Sequence, residues 1–250
     1  MRLEGSVCAV TGGASGLGEG AVKYLASAGC KVAILDLNAA KGEELARSLG
    51  ANAVFQTCDV TSDQSIEAAI AAVVAKFGRL DAIVTSAGIA IPKQTLGKAG
   101  AHSMALFQKT FSVNAIGTFN SARHAVAQFM KQAPASGERG VIVMVSSVHA
   151  HDGTRGVVAY SSTKGAIAGM TLPMARDLGT LQIRVVTIMP GLFDTPMGKT
   201  LPAEPVIRAT PLGRMGSPSE FGEAVGFALT NKFLTGCELR LDGGMRNPHL

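Results

Sequence analysis

Tyr160-Ser161-Ser162-Thr163-Lys164 places a phenol and an ammonium four residues apart. On a helix that spacing puts both groups on one face, where they can act as a pair. A phenol with an ordinary pKa of ~10 is a poor base at neutral pH; a nearby ammonium, together with an oxidised nicotinamide, favours phenolate and lowers that value. Tyr160 could then exchange a proton with a carbinol oxygen. Alone, such a pair is more often a surface contact, so its meaning depends on what surrounds it. Ser147 ends an apolar run thirteen residues earlier, and its hydroxyl is expected at the carboxyl edge of a sheet, where doubly wound folds bind ligands. There it can hydrogen-bond the substrate oxygen beside Tyr160, while Ser146, one residue earlier on the strand, points to the opposite face. Asn114 lies within a long helical pattern although it is a poor helix former. Its amide could bond a local backbone group and hold a water near Lys164, or it could simply mark a structural polar kink.

A second group of residues suits a dinucleotide. The first apolar run leads into Thr11-Gly12-Gly13-Ala14-Ser15-Gly16-Leu17-Gly18, where small residues admit a pyrophosphate to the backbone and the next helix aims its free N–H groups at it. Glycines also serve ordinary strand-to-helix turns, and this spacing differs from GxGxxG. Asp36 closes the second run, where a carboxylate accepts hydrogen bonds from both adenosine ribose hydroxyls and repels a ribose phosphate, favouring NAD(H) over NADP(H). A solvated or helix-capping aspartate is the alternative. After the third run, Asp59 could meet the adenine amino group and the Val60 backbone the ring edge, or Asp59 could cap the next helix. Ser86-Ala87-Gly88 follows the fourth run, and only residues as small as Ala87 and Gly88 leave room there for a ribose and nicotinamide; a simple turn would use them too.

Thr11–Gly18, Asp36, Asn114, Ser147, Tyr160, Lys164 and Pro190-Gly191 together resemble the short-chain dehydrogenase/reductase family over essentially the whole chain. The resemblance implies that Asn114, Ser147, Tyr160 and Lys164 form a tetrad for reversible carbonyl reduction. It also implies that Tyr160 and Lys164 meet the cofactor, with Lys164 on the nicotinamide ribose, and that Pro190, Gly191 and Thr195 border it, Thr195 holding the carboxamide. A closer likeness, carried by Gly12–Gly18, Met170–Leu178, Pro190–Phe193 and Leu239–Gly244, is to a subgroup that uses NAD(H), acts on short-chain 3-hydroxyacyl-CoA thioesters and steroid alcohols, and forms tetramers. Two departures stand out. Ser86 replaces the Asn common before Ala-Gly, and His149, His151 and Asp152 replace smaller, more apolar residues between Ser147 and Tyr160.

The elements that must position these groups follow from the hydrophobic pattern. Seven short apolar runs, Val7–Val10, Lys31–Leu35, Ala53–Cys58, Ala82–Thr85, Val141–Val145, Arg184–Ile188 and Glu238–Leu241, alternate with helical patterns at Gly18–Ala28, Ala40–Leu49, Ser65–Phe77, Met104–Lys131, Val158–Leu178 and Ser219–Thr230. Strand–helix alternation predicts an α/β fold: a single doubly wound Rossmann domain over 1–250, its seven-stranded parallel sheet covered by helices on both faces. The 250 residues are 47% hydrophobic and 16% charged, enough apolar material for one such core. The longest irregular stretch, with four prolines between Leu192 and Gly216, is expected to form a lid over substrate.

Composition also narrows partners. The net charge is +5, but Lys and Arg are scattered singly and there are two Tyr and no Trp. A basic surface for an anionic cofactor or substrate is therefore favoured over nucleic-acid binding. Cys8, Cys30, Cys58 and Cys237 lack metal-site spacing, so no metal is expected and reduced, mostly buried thiols are. No run of 18 apolar residues suggests a membrane span and the start lacks a secretory pattern. The chain reads as cytoplasmic, with mitochondrial or peroxisomal import open, since Pro248-His249-Leu250 only loosely resembles S-K-L. Lys93, Lys98 and His102, in the segment Ile89–Met104, could contact CoA phosphates or merely solvate a loop. A carrier-protein reductase, a hydroxysteroid or small-alcohol dehydrogenase and a non-enzymatic cofactor-binding scaffold remain as alternative functions. Asp36 argues against the first, which usually needs NADPH, and the intact tetrad against the last.

Overall fold

The computed structural model describes residues 1–246 except positions 99, 136, 201–202 and 209. In chain order the strands are β1 Val7–Thr11, β2 Lys31–Asp36, β3 Ala53–Thr57, β4 Ala82–Thr85, β5 Leu96–Gly97, β6 Gly100–Ala101, β7 Gly140–Val145, β8 Ile183–Pro190 and β9 Cys237–Leu241. Seven of them form one sheet in the order β3-β2-β1-β4-β7-β8-β9, every pairing parallel. The antiparallel pair β5 and β6 is a separate hairpin. The helices are α1 Gly16–Ser27, α2 Ala39–Leu49, α3 Asp63–Phe77, α4 Met104–Phe111, α5 Gly117–Met130, α6 Val158–Gly179, α7 Ala203–Arg208 and α8 Pro218–Thr230.

The inner strands β1, β4, β7 and β8 are buried along their whole length and mostly apolar because both faces of the sheet are covered there. Alternate residues then go to opposite layers. Cys8, Val10, Val32, Ile34, Val84, Val143, Val186 and Ile188 pack with Val22 and Leu25 of α1 and Phe221 and Val225 of α8. Val7, Ala9, Ala33, Leu35, Ile83, Ile142 and Met144 pack with Ile66, Ile70 and Val73 of α3, Phe129 of α5 and Ile167 of α6. Each fully buried side chain of this size contributes about 1.5–3 kcal/mol by leaving water. The chain leaves β1 toward β2 and β3, then returns to β4 on the other side, so the strand order reverses between β1 and β4. A crevice therefore opens outside the carboxyl ends of those two strands.

The single helix expected over Met104–Lys131 is instead α4 and α5 joined by a π-turn at Ser112–Ile116, with Gly117 N–H donating to the Ser112 carbonyl. Asn114 sits in that turn. The stretch expected to be irregular after Leu192 contains a 3₁₀ turn at Gly198–Thr200 and α7. Its base is closed: Gly216 N–H donates to the Leu192 carbonyl at 3.0 Å and Asp194 N–H to the Gly216 carbonyl at 2.8 Å. Pro248-His249-Leu250 lies outside the described residues. Among the described residues no helix is long and apolar enough to cross a membrane, and no group of three or more His, Cys, Asp or Glu could hold a metal ion. All four cysteines are free thiols, three of them buried.

Candidate active site

The glycine-rich turn closes on the β4 end of the crevice. A Cβ at Gly12, where φ is +66°, would stand 2.7 Å from Ala87 Cα, and one at Gly18 would stand 2.1 Å from the Gly12 carbonyl oxygen. Neither position can hold a larger residue without moving backbone, so Gly12, Ala87 and Gly18 form a floor of bare peptide. Above it α1 begins at Gly16, with Ser15 as an extended N-cap whose side chain makes no capping bond, leaving the first-turn N–H groups available to an anion. Leu17 lies in that first turn and is half-buried against the core. Gly16 also abuts Thr195, the Cβ positions separated by 3.5 Å.

Asp36 ends β2 beside this turn. Its Oδ2 accepts from Ala14 N–H at 3.0 Å and its Oδ1 from Asn38 N–H at 2.9 Å. It does not cap α2, a role taken by Asn38, whose side chain accepts from Lys41 N–H. The carboxylate is thus anchored onto the glycine-rich loop. Asp59 lies beyond β3, and its Oδ1 accepts from Thr61 N–H and Thr61 Oγ1 at 2.9 and 2.7 Å. Ser62, not Asp59, caps α3. Val60 is buried under α5, where a Cβ at Gly117 would press within 2.6 Å of Val60 Cγ2, and its carbonyl accepts from Asn120 Nδ2. Pro190 closes β8, and Gly191 packs so tightly on Asp242 that a Cβ would approach that side chain to 2.8 Å.

Ser147, Tyr160 and Lys164 stand where β7 and α6 meet. Ser147, just past β7, is buried; its Oγ accepts from His149 N–H at 3.2 Å and lies near enough to the Tyr160 phenol to lower its pKa. Ser146 behaves as its place on the strand predicts, turning away to donate to the Lys164 carbonyl at 2.7 Å. Lys164 lies one helical turn after Tyr160, its Nζ 5.5 Å from the phenol ring centroid and donating to the Val145 carbonyl at 2.8 Å. Gly88 brings the cofactor side to the same point: a Cβ there would lie 3.3 Å from Asn114 Oδ1 and 3.8 Å from Lys164 Nζ.

Electrostatics here differ from the sequence expectation in one respect. Burial raises the Tyr160 pKa above its ordinary 10, with the Ser147 hydrogen bond opposing it; the expected lowering by the ammonium is not found. Lys164 is itself buried, which lowers its pKa to about 8, and its Nζ is directed at Val145 rather than at the phenol oxygen. Desolvation is the largest influence on both groups.

Asn114 makes no single local bond. Its Oδ1 accepts from Ile89 N–H at 2.8 Å, and its Nδ2 donates to the Ile89 carbonyl at 2.9 Å and to Thr163 Oγ1 at 3.1 Å. Thr163 in turn donates to the Tyr160 carbonyl at 2.7 Å. Thr163 carries no role in the sequence reading, although its place directly before Lys164 could have suggested a side chain turned inward with the tetrad. In the loop between Ser147 and Tyr160, Asp152 pairs with Arg240 at 2.6 Å and His151 with Glu238 at 2.8 Å, tying that loop to β9. The segment carrying Lys93 is fixed by Lys93 N–H donating to the Gly156 carbonyl at 2.7 Å, whereas Lys98 is exposed in the turn between β5 and β6.

Set beside known proteins, residues 6–205 match the family described as short chain dehydrogenase. The 3-hydroxyacyl-CoA dehydrogenase type-2 of Bos taurus is 43% identical, covering 98% of this chain and 96% of that one. A crystal structure of 3-hydroxyacyl-CoA dehydrogenase type-2 from Mycobacterium avium superposes with a TM-score of 0.94 at 36% identity, covering 99% of each chain. A 3-ketoacyl-(acyl-carrier-protein) reductase from Brucella melitensis, complexed with NADH, gives 0.88 at 30% identity over 97% of this chain and 98% of that one. These matches show that the chain is an oxidoreductase that belongs to the short chain dehydrogenase family.

Proposed function

We propose that this chain is an NAD(H)-dependent dehydrogenase that interconverts a secondary alcohol and a ketone, with short-chain 3-hydroxyacyl-CoA and 3-oxoacyl-CoA thioesters as its substrates. The observation that carries the reading is the meeting of Ser147 and Lys164 at Tyr160, beside Gly88, where an added Cβ would stand 3.8 Å from Lys164 Nζ. Gly12, Gly16, Gly18 and Ala87 leave the backbone open to a dinucleotide, and Asp36 suits ribose hydroxyls, so the residues fit NAD(H). When bound, that group supplies or accepts the hydride at the substrate carbon. Ser147 holds the substrate oxygen. Tyr160 gives that oxygen its proton in reduction and takes it in oxidation. Lys164, on the same helix face, orients the phenol and meets the ribose, and Asn114 fixes Ile89 and Thr163 around them.

Thr195, Pro190 and Gly191 border the nicotinamide end in this reading, and the 192–216 segment, closed at its base, serves as a lid over substrate. Exposed Ile116 and Phe119 around α5, and Phe227 and Phe233 at and after the end of α8, suit self-association as a homotetramer. We assign a cytoplasmic location, with organellar import as the alternative. A carrier-protein thioester is the second reading: because the Brucella reductase is complexed with NADH, a preference set by Asp36 does not by itself separate the two.

The test is NADH oxidation by purified protein with acetoacetyl-CoA, its carrier-protein counterpart and a hydroxysteroid–ketosteroid pair as rival substrates. Acetoacetyl-CoA should give the highest kcat/KM. Tyr160→Phe should lower turnover about 10²–10⁴-fold while NADH still binds. Near-normal turnover in that variant would sink the mechanism, and a higher kcat/KM with the carrier-protein thioester would reassign the substrate.

A further inference from the structure

The loop from Cys58 to Ser62, between β3 and α3, uses its backbone N–H groups within the chain with one exception. Cys58 N–H donates to the Asp36 carbonyl at 3.1 Å and Ser62 N–H to the Asp59 carbonyl at 3.0 Å. Asp59 N–H donates to Ser65 Oγ and Thr61 N–H to Asp59 Oδ1, both at 2.9 Å. Val60 N–H has no such partner among the described residues, although Val60 itself is buried. Buried backbone donors are nearly always paired, so one left open at the carboxyl edge of the sheet points to a ligand acceptor that completes it.

Helix α5 fixes the residue that carries this donor. A Cβ at Gly117 would stand 2.6 Å from Val60 Cγ2, and Asn120, nearly one turn on, donates from Nδ2 to the Val60 carbonyl at 3.3 Å. Asn120 is buried in the middle of a helix, where asparagine is a poor helix former and an unbonded amide is costly. Its amide has one orientation. Arg123 Nε can only donate, and it donates to Asn120 Oδ1 at 2.9 Å, so Nδ2 must face Val60. The Arg123 guanidinium is held in turn by Asp63, the first residue of α3. Helix α5 therefore grips this loop at Val60 and again where α3 begins.

We propose that Asn120 is a positioning residue for the cofactor's base: through the Val60 carbonyl it keeps Val60 N–H set toward a ring acceptor. This rests on the NAD(H) reading above and deepens it, because it makes a buried side chain of α5 responsible for how firmly the loop reads a purine edge. Adenine presents a ring lone pair to such a donor and an amino N–H to the neighbouring Asp59 carboxylate. Hypoxanthine reverses both groups, so Val60 N–H meets another N–H and there is no bond for Asn120 to position. A site built to hydrogen-bond one edge rejects the analogue that lacks it.

The experiment measures the dissociation constants of NADH and of its hypoxanthine analogue from the fluorescence of the reduced nicotinamide, which needs no turnover. The unmodified protein should bind NADH the more tightly. Asn120→Ala should weaken NADH about fivefold, the size of one hydrogen bond, and change the analogue by less than about twofold, with kcat at saturating NADH held. Equal weakening of both dinucleotides, or a lower kcat without weaker NADH binding, would make Asn120 a packing residue and overturn the proposal. Unchanged binding of both would overturn it too, as would equal binding of the two by the unmodified protein. Arg123→Met tests the same chain of contacts without emptying a buried position, since that side chain is 46% exposed. It frees the Asn120 amide to turn and should weaken NADH about twofold while sparing the analogue; a variant that treats the two dinucleotides as the unmodified protein does would count against the anchoring. If the unmodified protein binds neither dinucleotide, the NAD(H) reading itself fails. If it binds NADH in preference and neither variant alters that preference, only the role of Asn120 fails.

Discussion

Asn114 and Ile89 exchange two hydrogen bonds, side-chain amide to backbone amide: Oδ1 accepts from Ile89 N–H at 2.8 Å and Nδ2 donates to the Ile89 carbonyl at 2.9 Å. The pairing satisfies a backbone that has just left β4 and has no strand beside it. It also sets where Gly88 passes Lys164. Asn114→Ala leaves both Ile89 groups without these partners and removes the Thr163 contact. The loss should be about 1–3 kcal/mol in unfolding free energy, together with a lower kcat, because both Gly88 and Thr163 lose their support. Asn114→Asp, which sets a buried carboxylate oxygen against the Ile89 carbonyl, should lose at least as much. Denaturant unfolding and steady-state rates measure this; a fully stable, fully active Asn114→Ala would show the bonds to be incidental.

Lys164 gives a pH signature. Its pKa of about 8 in the folded chain lies below the ordinary 10.5, so its charge is penalised by burial. Below the folded value both states hold the proton and the penalty is fully present. As pH rises from about 8 to 10.5 the folded chain releases the proton while the unfolded chain keeps it, so this group makes stability rise with pH. The difference of about 2.5 pH units corresponds to roughly 3 kcal/mol. Lys164→Met removes the charge, so its stability relative to the unmodified protein should decline by that order between about pH 7 and pH 10. A difference that does not change with pH would mean that the ammonium is not desolvated.

The strand ends were legible to within one or two residues because the central strands are buried on both faces and read as apolar runs, β4 Ala82–Thr85 being the plainest case, while the partly exposed edge strands β3 and β9 keep enough apolar residues to stand out from their flanks. The split of the long helix at Ser112–Ile116 was not, since one widened turn leaves the hydrophobic period of the flanking helices unchanged and only the poor helix former Asn114 hints at it. Helix α7 was hidden among prolines. At the site, residue types and spacing pointed to Ser147, Tyr160 and Lys164, and the strand alternation separated Ser147 from Ser146. The direction of the Tyr160 shift was not readable, because burial is a property of the packed chain. Nor was the Asn114–Ile89–Thr163 bracing, which spans residues far apart in sequence.

For the cofactor, Asp36 contributes in two ways that a substitution separates. It accepts from Ala14 and Asn38 N–H groups, shaping the loop, and its charge opposes a ribose phosphate. The unmodified protein should prefer NADH. Asp36→Ala should raise the KM for NADH through loss of those bonds and narrow the preference, and Asp36→Arg should narrow or invert it by attracting the phosphate. Equal use of NADH and NADPH by the unmodified protein would refute the role given to Asp36.

The last prediction concerns the thioester's nucleotide end. Lys93 is held by its backbone to Gly156, four residues before Tyr160, so it stands at the start of α6, and Lys98 is exposed on the β5–β6 hairpin of the same segment. Cations there would attract CoA phosphates through water, an interaction that salt screens over about 8–10 Å. Replacing both by Ala should raise the KM for acetoacetyl-CoA and flatten its dependence on salt, while ethyl acetoacetate, which carries no phosphate, keeps its KM. A third arm, acetoacetyl-pantetheine, retains the thioester and lacks the nucleotide; it should behave like ethyl acetoacetate in both proteins. If the three substrates respond alike, or none responds, the segment only solvates the surface and the nucleotide end is bound elsewhere.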